Sequence, residues 1–320
     1  MTAIGTLSEK RSRRSGALGV HSIDHFHIVV PDVGEAARFY GTFGLEIRDE
    51  GGALNLYTAG NSHRWGAVTE GKRKQLGHIS FGVFEDDFPR FKQRLESMRI
   101  DLLDCPRGFE SNGLWFRDPD ANLLEIRVAE KTSPDRKPYF NNPPGIPGIA
   151  NAPSRSKAPL VKPSRLAHML LFACDIPATL RFYGEALGMG LSDRGGDAIG
   201  FMHAVHGCDH HLLAFLKSEA PGLHHLSWDA GSVQSIGLGA MQMAAKGYAS
   251  GWGLGRHVLG SNYFHYVRDP WGSWCEYAAD IDYIPADTQW QSGDHPPEDS
   301  FYVWGPEPPA DFAVNYEVAS

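Results

Sequence analysis

Two stretches of this chain carry the same succession of apolar and polar positions. Each begins with a short apolar run, residues 26–30 and 169–173, of the length and composition of one strand. An aspartate follows, Asp32 or Asp175, and then apolar residues at helical spacing. These are Val33, Ala36, Ala37 and Tyr40 in the first stretch, and Ile176, Leu180 and Tyr183 in the second. The aspartates stand where N-caps belong, and Gly44-Leu45-Glu46 and Gly188-Met189-Gly190 end the helices. More strands follow, then a second helix over 86–98 or 232–246. An Asp-Pro turn leads into a last strand that carries a glutamate. The pattern predicts an α+β fold in which each half holds two strand–helix–strands units.

The repeat holds at the level of single residues. His25 and His168 lie 143 positions apart, as do Arg38-Phe39-Tyr40-Gly41 and Arg181-Phe182-Tyr183-Gly184. Further on, His78 parallels His225, and Asp118-Pro119 with Glu125 parallels Asp269-Pro270 with Glu276. The slow drift in offset is that of short loop insertions between equivalent elements. Five segments follow: a flexible N-terminal arm (1–20), a first domain (21–131), a linker (132–163), a second domain (164–282) and a tail (283–320). The linker is rich in Pro, Gly, Asn and Ser, a composition that builds no packed element. The tail holds Trp290, Tyr302 and Trp304 and is expected to pack back over the second domain.

Composition narrows the function. With 320 residues the chain is too long for one ordinary core and suits two domains. A net charge of −8 with no basic stripe argues against nucleic acid, and the run Lys10 to Arg14 reads as part of the arm. No apolar stretch approaches the length of a membrane span, and the N-terminus lacks the apolar core of a signal peptide. The four cysteines show no paired spacing, so a cytoplasmic setting with free thiols is expected.

Three residues of the second half carry the chemistry: His168, His225 and Glu276, each in a strand-like context. Two imidazoles and a carboxylate are the set that holds non-haem Fe(II) on one face and leaves the other open to an organic ligand and O₂. Mn(II) is the alternative ion, since nitrogen and oxygen ligands separate the two metals poorly. His224 and His225 are neighbours, and neighbours on a strand face opposite ways; the repeat selects His225, because it aligns with His78.

The paired copies resemble the vicinal-oxygen-chelate superfamily with its paired βαβββ modules, and the chain as a whole resembles its two-domain extradiol ring-cleaving dioxygenases. The signature runs Gly255-Arg256-His257, then Tyr266, Asp269-Pro270-Trp271-Gly272 and Glu276. It departs from the family at His265, where an apolar residue is usual. The segment 261–270 is most similar to the homoprotocatechuate 2,3-dioxygenase branch. The resemblance implies that His211, fourteen positions before His225, is the acid/base histidine, and that His257 and Tyr266 bind the substrate oxygens. His210 then reads as a bystander, and His203 as a candidate for the pocket wall. In the first half, His25, His78 and Glu125 occupy the ligand positions, and His63 stands fifteen residues before His78. Pro106 and Trp115 stand where the polar residues would be, which suggests a second metal site that is vestigial or structural.

The resemblance implies meta-cleavage of a catechol by O₂ at one Fe(II), in the degradation of aromatic compounds, by a homo-oligomer, with a tetramer favoured. That branch holds a substrate carboxylate with arginines, but Trp252 and the Ser300-Phe301-Tyr302 region stand at those places here. A buried carboxylate without a partner is costly, so a neutral substituted catechol or a trihydroxylated aromatic is expected. Two other readings fit the same scaffold: cleavage of a para-diol, decided by substrate trials, and a non-enzymatic ligand-binding module, which needs no metal triad.

Overall fold

A computed structural model describes residues 12–318. The first half contains β1 (Ser22–Val30), α1 (Val33–Phe43), β2 (Glu46–Glu50), β3 (Ala53–Tyr57), β4 (Arg64–Glu70), β5 (Gln75–Val83), α2 (Phe88–Ser97), β6 (Leu114–Arg117) and β7 (Leu123–Val128). The second contains β8 (Leu166–Ala173), α3 (Ile176–Leu187), β9 (Gly190–Gly195), β10 (Ile199–His203), β11 (Cys208–Asp209), β12 (Leu213–Lys217), β13 (Gly222–Asp229), α4 (Val233–Ala244), β14 (Gly251–His257), β15 (Tyr263–Arg268) and β16 (Trp274–Ala279). The tail adds β17 (Tyr283–Ile284), β18 (Gly293–Asp294) and β19 (Tyr302–Trp304).

Local chemistry sets these elements. Asp32 and Asp175 accept from the backbone N–H groups of Glu35 and Ala178, which caps α1 and α3. Gly44 and Gly188 close the same helices in the left-handed region, φ 105° and 68°, where a side chain would be strained. Backbone from elsewhere in the chain also passes close to both, at Val161 and Leu18, and leaves no room for a Cβ.

The two large sheets repeat one strand order, and β11 pairs with β17 in a small third sheet. The first runs β2-β3-β4-β1-β5-β7-β6 and the second contains β9-β10-β12-β8-β13-β16-β15, with β18 added at one edge and β14 and β19 at the other. The central trio β8-β13-β16 therefore corresponds to β1-β5-β7. The halves share a continuous apolar core. Within it Phe43 stacks on Tyr277 at 3.8 Å, the Tyr277 hydroxyl donates to the Phe43 carbonyl, and Trp228 meets Phe26 edge-on.

Residues 1–11 of the arm lie outside the described residues, but 12–20 are anchored rather than loose. Arg13 pairs with Asp86 and Asp87, Ser12 donates to the His206 carbonyl, and Val20 donates to that of Leu187. Within 132–163 only the single turn Arg155–Lys157 forms a helical element. The tail lies on the second half, where Phe312 is buried among Trp252, Tyr266 and Trp274.

Candidate metal centre and active site

Register places the three ligands on one face. Ser227 on β13 lies opposite His168 on β8 and also opposite Glu276 on β16. His225 is two residues from Ser227 and so shares its face. His168 Nε2 lies 3.2 Å and His225 Nε2 3.7 Å from Glu276 Oε2. All three ligand atoms fall within 4.8 Å of one another, and all three residues are buried. His225 Nε2 and Glu276 Oε2 have no hydrogen-bond partner in the protein. Buried polar atoms are seldom left orphaned, and two imidazoles facing a carboxylate are the donor set for a divalent cation. Among the described residues this is the one His/Cys/Asp/Glu cluster spaced to hold a metal.

The surroundings prepare that set. Burial pushes the Glu276 carboxyl up, but the close approach of His168, with His257 behind, outweighs it and holds Glu276 below the usual range. Asn262 donates to Glu276 Oε1 at 3.0 Å and fixes the plane of the carboxylate. Burial drives His225 well below its ordinary pKa, so it stays neutral as a ligand must. His224 Nε2 meets the Phe312 carbonyl at 2.8 Å, so that nitrogen carries the proton and Nδ1 is an acceptor. His225 Nδ1, 2.8 Å away, then donates to it, which leaves the His225 Nε2 lone pair for the metal. A register shift in β13 between Leu223 and His225 lets two adjacent rings meet in this way.

His257 Nδ1 donates to the Phe301 carbonyl at 2.9 Å, and its Nε2 lies 2.9 Å from the Tyr266 hydroxyl, which donates to it. Tyr266 lies opposite Glu276 in the β15–β16 register. Burial, with Glu276 adding to it, raises the Tyr266 phenol well above its ordinary value, so it remains a hydroxyl. His211 packs against His168 with ring centres 4.1 Å apart, and burial pushes its pKa well down.

These residues open on a cavity of about 390 Å³. Its polar lining comprises His168, His211, His224, His225, His257, Asn262, Tyr266 and Ser300, with no lysine, arginine or acidic side chain among the described residues. The rest is apolar and includes Leu170, Phe201, Leu216 and Leu259, with Phe301 and Phe312 from the tail.

Two candidates stand elsewhere. His203 does not line the cavity. Its Nδ1 donates to Ser192 Oγ, whose hydroxyl donates to the His210 carbonyl, so it supports the backbone under His210. The first half repeats the register, with Ser80 opposite both His25 and Glu125, but not the open site. Ser80 and Ser111 donate to the two oxygens of Glu125, and His25 is engaged with Asp24. His63 turns to the Asp24 carbonyl. Trp115 lies opposite Glu125, as Tyr266 lies opposite Glu276, and brings no hydroxyl. Hydroxyl donors thus occupy both oxygens of the carboxylate that a cation would need, while His78 Nε2 has no hydrogen-bond partner.

The sequence model of the glyoxalase/bleomycin resistance protein/dioxygenase superfamily matches residues 22–126 and 165–277. The chain belongs to that superfamily. Within it, the chain is 49% identical over 300 residues to metapyrocatechase 2 of Cupriavidus necator, covering 93% of each protein. Homoprotocatechuate 2,3-dioxygenase of Brevibacterium fuscum superposes with a TM-score of 0.73 at 19% identity, covering 93% of each chain. A Mn(II)-bound glyoxalase of Novosphingobium aromaticivorans gives 0.71 at 23%, over 91% of this chain and 96% of the other. At those identities the two structures speak to fold alone. The two matched segments are two tandem modules, and the His168–His225–Glu276 set lies in the second.

Proposed function

We propose that the protein is an extradiol dioxygenase that cleaves a neutral substituted catechol or trihydroxylated aromatic with O₂ in aromatic-compound degradation. The observation that carries this is the buried His168–His225–Glu276 set, with His225 Nε2 and Glu276 Oε2 unpartnered, beside a largely apolar cavity that also presents His211, His257 and Tyr266. The likeness to metapyrocatechase 2 supports the same reaction class. His168, His225 and Glu276 would hold Fe(II), with Mn(II) as the alternative, and the ion would supply the redox chemistry that joins the diol to O₂.

The chain's own residues do the rest. His211 takes a proton from one diol hydroxyl and returns it later in the turnover; its neutral ring is ready for the first task. His257 and Tyr266, already bonded to each other, orient the second oxygen. The apolar wall of Leu170, Phe201 and Leu259 takes the ring substituent and keeps water from the reacting carbons. A ring bearing a carboxylate finds no cation there. The enzyme acts as a cytoplasmic homo-oligomer, with a tetramer favoured. No helix among the described residues is long and apolar enough to cross a membrane.

The test is O₂ uptake by Fe(II)-reconstituted protein with catechol, 3- and 4-methylcatechol, 2,3-dihydroxybiphenyl and hydroquinone. Uptake with a yellow ring-cleaved product from the catechols is the expected result. Uptake from hydroquinone alone would replace the reading with para-diol cleavage. Bound metal with no uptake from any of them would end it.

A further inference from the structure

The chain holds two histidine doublets, His210-His211 and His224-His225, and in both the two Nδ1 atoms face each other, at 3.0 Å and 2.8 Å. Two facing ring nitrogens form a bond only when one carries the proton and the other does not. What lies behind the first ring decides which. Behind His224 it is the Phe312 carbonyl. Behind His210 it is a carboxylate: His210 Nε2 lies 2.8 Å from Asp193 Oδ2.

Asp193 is a held group. Its second oxygen accepts from the Gly293 backbone N–H at 2.7 Å and from His295 Nε2 at 3.0 Å. His295 is one-third exposed, while Asp193 and His210 are almost fully buried. Trp290 covers the His210 ring edge-on, and the His210 backbone is tied to the Asp282 carbonyl and Ser192. Burial pushes the Asp193 carboxyl up, but the bonds from His210, Gly293 and His295 overcome this and keep it ionised at neutral pH. None of these residues lines the cavity, and the ring-cleavage chemistry described above does not use them.

We propose that Asp193 and His210 are positioning residues that fix His211 as its Nδ1–H tautomer, so that the Nε2 lone pair is the one presented to the substrate diol. The carboxylate accepts the His210 Nε2–H, His210 Nδ1 is then an acceptor, and the His211 Nδ1–H donates to it. A lone pair toward the cavity is what a base needs; the opposite tautomer would offer the diol a proton instead. The two doublets also end differently in keeping with their tasks. A neutral carbonyl stands behind a ring that serves as a metal ligand, and a negative carboxylate stands behind a ring that must accept a proton. The inference rests on the ring-cleavage reading for its consequence in turnover, but not for the tautomer itself.

Two measurements test it on the full chain. In the Zn(II)-loaded protein, ¹⁵N shifts of the His211 ring should show a protonated Nδ1 and a bare Nε2. Asp193→Asn, whose amide can donate to His210, should shift His211 toward the Nε2–H form. In the Fe(II) enzyme, Asp193→Asn should lower kcat on catechol roughly 10- to 100-fold, with KM within about threefold and metal content unchanged. Asp193→Glu should restore most of the loss. A wild-type His211 protonated on Nε2 overturns the proposal, as does an Asp193→Asn enzyme with kcat within about threefold of wild type. If that variant does not fold, the wild-type shifts decide alone. A wild type that consumes no O₂ with any catechol refutes the ring-cleavage reading, while the shifts still rule on the tautomer.

Discussion

Adding a carboxylate to the substrate ring should suppress turnover, and the cavity sets by how much. Among the described residues the side chains that line it include no lysine or arginine, and the wall beyond the ligands includes Leu170, Phe201, Leu216 and Leu259. An ionised group buried without a partner costs several kcal/mol even after the protein relaxes. Solvent at the cavity mouth will return part of that. A residual penalty of about 3 kcal/mol corresponds to roughly a hundredfold in kcat/KM. Homoprotocatechuate should therefore be used about a hundredfold less efficiently than 4-methylcatechol, compared by O₂ uptake with the same Fe(II)-loaded preparation. Leu216→Arg puts a guanidinium on the half-buried part of that wall and should recover about tenfold of the loss, as expected for one partly solvated charge pair. Equal or better use of homoprotocatechuate by the unaltered enzyme would refute the premise that no cation reaches the ring.

Other consequences are as direct. Metal analysis should find one ion per chain, lost in His168→Ala and unchanged in Glu125→Gln, because Ser80 and Ser111 already satisfy Glu125; two ions per chain would contradict this. Phe43→Ala removes the ring stacked on Tyr277 between the halves and should cost about 3–5 kcal/mol by denaturant unfolding; a loss under about 1 kcal/mol would show that the halves do not depend on that stack. Burial holds His21 near pKa 3 and His27, His203, His206 and His224 near 4, so the unfolded chain binds protons that the folded one refuses as pH falls below about 6.5. Each such group removes about 1.4 kcal/mol per pH unit between its unfolded and folded pKa, so Tm should fall steeply from pH 6.5 toward 4, and a flat profile would contradict their burial as neutral rings.

Much of this was legible in the sequence because it is local or repeated. The Asp32 and Asp175 caps, the Gly44 and Gly188 stops and the second helices follow from neighbouring residues. The ligand set was legible because the same strand positions recur in both halves. What escaped depends on partners distant in the chain. His224 reads as the idle neighbour of His225 until the Phe312 carbonyl, 88 residues on, is in place. His210 looks like a bystander because Asp193 belongs to a different strand and is held by the tail. Asn262 sits inside the signature, but nothing local shows that it reaches Glu276 across the register. In the first half the sequence suggested a second, vestigial or structural metal site, and only the side-chain geometry shows that Ser80 and Ser111 both donate to Glu125.

The central claim is that His168, His225 and Glu276 hold Fe(II) for ring cleavage beside the diol. It is tested most directly by turning over catechol under ¹⁸O₂ with the Fe(II) protein and analysing the product by mass spectrometry. The expected product is a 2-hydroxymuconic semialdehyde that carries label from both atoms of one O₂, with no product from Glu276→Ala. A product labelled at one position only, cleavage between the two hydroxylated carbons, or unchanged catechol with iron bound would contradict it.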